Sequence, residues 1–207
     1  TAVDYTGSSG NDTFIMMHTS DVIKAGAGSD TLDINTTAVL GGIVVDLSVT
    51  GDNVLQANGS LNTTEQSGYI NVDLAGYAGG YGAVVTANEA GSTIVGTSVV
   101  DQFTGGVGGD TMTGGAGNDV MSLGTGTDTL IRNGDGTTDG ADTVSGFTGG
   151  TDIIDFTTNG AKVNGNAVTA HASGALGNIG ATVGLQVFTG NITTADNSTL
   201  TAAELET

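Results

Sequence analysis

Aspartate recurs at one phase of a nine-residue phrase. The clearest run is GGVGGDTMTGGAGNDVMSLGTGTDTLI, from Gly105 to Ile131. Blocks that begin at Gly96, Gly105, Gly114 and Leu123 put Asp101, Asp110, Asp119 and Asp128 at their sixth position. A second array begins at Gly7, Met16 and Ala25 and puts Asp12, Asp21 and Asp30 there. Stacked carboxylates repel one another. Joined by backbone carbonyls of the intervening turns, they make an all-oxygen cage suited to a hard cation such as Ca²⁺. The candidate turn carbonyls in the main array are those of Gly105, Val107, Gly114, Ala116 and Gly124. Asp and Gly also form turns without any metal. Against that reading, the aspartates keep one phase instead of scattering over the turns.

The elements that must position these groups follow from the period. Glycine permits conformations closed to other residues and marks tight turns. A short strand after each turn points one apolar residue inward. Those residues are Phe14, Ile23 and Leu32 in the first array and Phe103, Met112, Met121 and Leu130 in the second. Blocks from Ala78 and Ala87 keep the inward residue, as Val85 and Ile94, but carry Ala83 and Ser92 at the aspartate phase. Two turn-and-strand units make one coil of a flattened parallel solenoid. Each aspartate then meets the one a coil away: Asp12 with Asp30, Asp101 with Asp119, and Asp110 with Asp128.

Composition agrees with an all-β chain that takes up cations. The 207 residues include 37 glycines and no cysteine, with 22 Asp plus Glu against 3 Lys plus Arg and a net charge of -19. Such charge opposes nucleic-acid binding through phosphate neutralisation and opposes binding to anionic membranes. It also opposes compaction unless counter-ions are supplied. Without cysteine there is no disulfide framework and no thiolate site. No apolar run is long enough for a transmembrane helix. The opening TAVDYTGSSG is not a signal peptide and has no initiator Met, so the chain reads as processed or as an excerpt.

Catalytic patterns are lacking. The two histidines, His18 and His171, are far apart in sequence and belong to no zinc motif. There is no Gly-x-Ser-x-Gly elbow, and no Lys follows the glycines of GTGTDT. The abundance of aspartate has a structural cause, so the sequence reads as a non-enzyme.

GGVGGDTMT and GGAGNDVMS resemble the GGxGxDxUx nonapeptide of the RTX (repeats-in-toxin) family, where U is a large apolar residue. The resemblance implies a Ca²⁺-bound parallel β-roll holding several ions. GADTVSGFTGGTDIIDF, from Gly140 to Phe156, resembles the closing segment that follows many such arrays, through Asp142, Val144, Phe147, Asp152, Ile154 and Asp155. Asp142 and Asp152 thereby join the candidate metal ligands. Family members of this kind are bacterial, leave the cell by type I secretion and fold outside on meeting calcium.

The remaining segments are less regular. GIVVDLSV and YINVDLAGY read as strands, and the polar stretch between them reads as an excursion from the solenoid. INVDLAG resembles linking coils of bacterial RTX surface-layer proteins. NGAKVNGNAV reads as a hairpin, and Leu200 to Leu205 as a short helix-like stretch. Residues near Asn133, and near Asn197 and Glu204, resemble only fragments of acidic calcium loops.

The expected organisation has four parts, which can form one continuous domain. These are N-terminal RTX-like coils at 1–33, an irregular β insertion at 34–77, a main β-roll with closing segment at 78–156, and a C-terminal β region at 157–207. The expected function is that of an extracellular structural protein that folds on Ca²⁺ and assembles with copies of itself into a surface layer or filament. Cell-surface polysaccharide is a candidate further partner. The alternative is a calcium-folding module of a larger secreted enzyme or adhesin.

Overall fold

The computed structural model describes residues 4–16, 20–35, 41–51, 53–57, 60–61, 64, 66–132, 140–149, 151–155, 162–163 and 166–167. His18, His171, the Asn133 fragment and the stretch around Asn197 and Glu204 lie outside them.

One face of the coil is a seven-stranded sheet. It is built from β2 (Thr13–Ile15), β4 (Asp30–Asp33), β9 (Tyr69–Asp73), β11 (Thr93–Val95), β13 (Thr111–Thr113), β15 (Thr129–Ile131) and β17 (Ile153–Asp155). All its pairings are parallel, so each neighbour is reached by a full turn of the chain. The opposite face has β5 (Ile43–Asp46), β10 (Ala83–Thr86), β12 (Gln102–Thr104), β14 (Val120–Ser122) and β16 (Thr143–Ser145), again in parallel. Near the N-terminus this face continues as a separate sheet of β1 (Asp4–Thr6), β3 (Val22–Lys24) and β8 (Gln66–Ser67). The molecule is an all-β parallel solenoid of about six turns.

Short strands suit this chain because each has one inward residue to bury. In β12 and β14 the central residue is buried between outward neighbours. Val85, Phe103 and Met121 stack across one face, and Leu32, Val72, Ile94, Met112 and Leu130 across the other. All are buried, and together they form one core cluster. Each contributes roughly 1.5–3 kcal/mol of transfer free energy, an upper estimate on an extended-chain reference. Val144 and Ile154 of the closing segment pack against the same cluster. Phe147 is exposed.

The insertion is more closely joined to the solenoid than an excursion would be. β5 lies in register under β10, and then β6 (Val54–Ala57) and β7 (Ser60–Leu61) run antiparallel. The polar chain then returns as β8, which stacks on β3. Buried amides hold this return. The Asn53 side chain donates to the carbonyls of Asp46 and Val49 and accepts from the Tyr69 N–H. The Gln66 amide donates to the Asp21 carbonyl and accepts from the Tyr69 hydroxyl. Further on, the expected hairpin is present as β18 (Lys162–Val163) paired antiparallel with β19 (Asn166–Ala167).

Candidate metal centre

The aspartates line the two edges of the solenoid, in the turns that lead into the strands. Turns entering the β2–β17 sheet carry Asp12, Asp110, Asp128 and Asp152, and Asp30 is the first residue of β4. Turns entering the other face carry Asp21, Asp101, Asp119 and Asp142.

A single hydrogen-bond rule links consecutive coils. The N–H of one aspartate donates to Oδ1 of the aspartate 18 residues later. Asp12 bonds Asp30, Asp101 bonds Asp119, and Asp110 bonds Asp128, each at 2.8 Å. The contact therefore runs from backbone to carboxylate rather than from one carboxylate to the next. Ala83 and Ser92, which lack the carboxylate, still donate to Asp101 and Asp110 at 2.6 and 2.8 Å. The rule survives longer steps. Asp119 donates to Asp142 across 23 residues and Asp128 to Asp152 across 24, each at 3.0 Å.

The second carboxylate oxygen distinguishes two kinds of turn. In the first kind it caps its own turn by accepting from the N–H four residues earlier. Asp12 is capped by Ser8, Asp101 by Thr97, Asp110 by Gly106 and Asp152 by Thr148. In the second kind the residue four earlier is a glycine with φ near +100°. These are Gly26 before Asp30, Gly115 before Asp119 and Gly124 before Asp128. A Cβ on Gly115 would lie 2.0 Å from the Thr97 carbonyl oxygen, so only glycine fits. Turns of the second kind lie on turns of the first. Ala27, Ala116 and Thr125 donate to the carbonyls of Ser8, Thr97 and Gly106 in the coil beneath. Those bonds use second-position carbonyls, not the first- and third-position carbonyls of Gly105, Val107, Gly114 and Ala116.

This arrangement fits a hard cation. Oδ2 of Asp30 and of Asp128 is buried without a hydrogen-bond partner. A buried carboxylate oxygen left in that state is costly. Among the described residues no three acidic, imidazole or thiolate groups gather around one point. A cation here would therefore need backbone oxygens as well as carboxylates, which is a donor set that suits Ca²⁺. Burial pushes the Asp101 carboxyl above the ordinary aspartate range, against the lowering effect of the Ala83 and Thr97 N–H groups. Burial does the same at Asp110; the Ser92 and Gly106 N–H groups oppose it, and Asp128 adds to it. A divalent ion would relieve this desolvation directly.

The RTX calcium-binding nonapeptide repeat, in 4 copies, matches residues 19–33 and 95–130. The chain carries RTX repeats. These nonapeptide repeats bind Ca²⁺. The matched RTX segments contain Asp21, Asp30, Asp101, Asp110, Asp119 and Asp128, whereas Asp12, Asp142 and Asp152 lie outside them. No curated protein matches the chain.

Three sites depart from the paired arrangement. Asp21 is buried ahead of β3, where the next coil presents β8 and the Gln66 amide. Both oxygens of Asp152 accept from N–H groups, those of Asp128 and Thr148. Asp142 accepts from the Asp119 N–H and forms an ion pair with Arg132. Sequence reasoning did not single out Thr97, Asn53, Gln66 or Arg132.

Proposed function

We propose that this RTX chain is a structural part of a secreted bacterial protein that folds on Ca²⁺ outside the cell and then assembles with copies of itself into a filament or surface layer. The observation that carries the calcium reading is the repeated pairing of turns, in which Asp30 and Asp128 keep a buried carboxylate oxygen without a protein partner. The proposed ligands are Asp12 with Asp30, Asp101 with Asp119 and Asp110 with Asp128, together with turn carbonyls of Gly105, Val107, Gly114, Ala116 and Gly124. Asp21 and Asp152 are candidate ligands at the ends of these stacks. Ca²⁺ that binds the paired turns but not the open chain stabilises the fold by mass action. Sites of the affinity usual in extracellular modules, roughly 10⁻⁴–10⁻³ M, fill outside a cell and empty inside it.

Open strand edges support assembly. Among the described residues β1 and β2 each have a neighbour on one side only, and Tyr5 and Ile15 on them are exposed. An unpaired edge is a template for another chain. A head-to-tail contact that does not close propagates. Negative-stain electron microscopy in chelator and then in millimolar CaCl₂ tests this reading. Ordered filaments or sheets that form with calcium and vanish with chelator are expected. Dispersed particles that only become compact would contradict assembly and favour a calcium-folding module of a larger secreted enzyme or adhesin.

A further inference from the structure

The last turn of one edge contains a cation of its own. Arg132 is one of only 3 Lys plus Arg residues in the chain, and it is 9% exposed. It follows β15 directly. Because Thr113 of β13 is in register with Ile131 of β15, Arg132 takes the place that Gly114 holds one coil earlier. Gly96 holds it one coil before that. The backbone continues in register, since the Arg132 N–H donates to the Asp155 carbonyl as the Gly96 N–H donates to that of Thr113.

The carboxylate crowds the glycines at this position. A Cβ on Gly114 would stand 2.2 Å from Asp119 Oδ2, and one on Gly96 would stand 2.5 Å from Asp101 Oδ2 and 2.1 Å from the Gly114 carbonyl oxygen. At Arg132 the turn is longer, and the aspartate that closes it, Asp142, lies 10 residues on. A side chain stands here in place of glycine. That side chain reaches Asp142 Oδ2, while Asp142 Oδ1 accepts from the Asp119 N–H. The Asp142 side chain is 2% exposed and that of Arg132 is 11% exposed.

We infer that the Arg132 guanidinium replaces a divalent ion at the junction between the Asp119 turn and Asp142. Asp142 is then no calcium ligand, and the C-terminal coil on this edge closes without calcium. A guanidinium gives what a carboxylate needs in a buried turn, a fixed positive charge with directed N–H donors. The inference rests on the calcium reading of the other junctions, and its test separates the two.

Calcium bound by the full-length chain is counted by equilibrium dialysis for the wild type, Asp128→Asn, Asp142→Asn, Arg132→Gly and Arg132→Lys. Asp142→Asn and Arg132→Lys are expected to keep the wild-type ion count, and Asp128→Asn to lose an ion. Arg132→Gly, which restores the residue of the two preceding coils, is expected to gain one. Loss of an ion in Asp142→Asn, or an unchanged count in folded Arg132→Gly, would overturn the inference. If Arg132→Gly does not fold even in calcium, the Asp142→Asn count decides. An undiminished count in Asp128→Asn would instead contradict the calcium reading itself.

Discussion

At the scale of the residue, Asp30, Asp101, Asp110, Asp119 and Asp128 each use one oxygen to tie their coil to the one before, through bonds such as Asp110 N–H to Asp128 Oδ1 at 2.8 Å. The other oxygen caps its own turn at Asp101 and Asp110 and is buried without a hydrogen-bond partner at Asp30 and Asp128. The metal-free protein bears the consequence in its titration. Burial raises the Asp101 and Asp110 carboxyls, so the folded state keeps their protons to higher pH than the unfolded chain does. Their contribution is therefore most favourable in acid and is lost as pH rises through the raised folded values. The window opens at the ordinary aspartate value of 3.8 and extends upward. The β structure that remains in chelator, followed by circular dichroism, should accordingly be greater near about pH 5 than near about pH 7. Calcium should reverse the order, because protons compete with it for the same oxygens. A chelator-treated chain that becomes steadily more stable across that range would contradict the burial assigned to these carboxylates.

The aspartate phase was plain in the sequence because nine-residue spacing survives substitution at the other positions. What it did not reveal was the division into two turn types. That division depends on φ at Gly26, Gly115 and Gly124, and Gly106 has the same residue type without a left-handed φ. Arg132 had a readable signal that was missed: counting eighteen residues on from Gly96 and Gly114 lands on it.

At the scale of the element, three-residue strands are stable only as part of a stack. Each is too short to fold alone, and its single inward side chain packs mainly on the strands above and below. Met112 is in register with Ile94 on one side and Leu130 on the other and is fully buried. Met112→Ala should cost about 2–5 kcal/mol, because the parallel coils on either side limit how far the cavity can collapse. The outward Thr111→Ala, on the same strand, should cost less than about 1 kcal/mol. Urea unfolding of both variants in saturating calcium measures the difference. Equal losses would mean that the inward ladder does not carry the core.

The inward positions were legible from periodicity, and so were β5 and β9, which are apolar over strand length. The joint between them was not. Asn53 and Gln66 resemble ordinary loop residues in a polar stretch, yet both are buried and bond backbone groups of Asp46, Val49, Tyr69 and Asp21. Nothing in local composition separates an amide that knits two coils from one that faces water. The longer registers to β16 and β17 were likewise hidden, because the extra residues enter between aspartates whose mutual bonding persists.

At the scale of the whole molecule, the balance is between one continuous core and a net charge of -19. A chain with 37 glycines loses much conformational entropy on folding, and its aspartates repel when brought together. RTX repeats bring Ca²⁺ to that balance. The amide joint at Asn53 and Gln66 connects coils through side chains alone, and the Arg132–Asp142 ion pair lies within one turn. The account predicts that calcium is needed most where a carboxylate oxygen is buried without a hydrogen-bond partner, at Asp30 and Asp128.

The coupling of fold to calcium is tested most directly by far-ultraviolet circular dichroism of the full chain, starting in excess chelator and titrating in CaCl₂. The expected result is a largely unstructured spectrum in chelator that converts cooperatively to a β spectrum, with a midpoint of about 10⁻⁴–10⁻³ M. A full β spectrum in chelator, unchanged by calcium, would mean that the stacked turns hold themselves together and that calcium does not drive the fold.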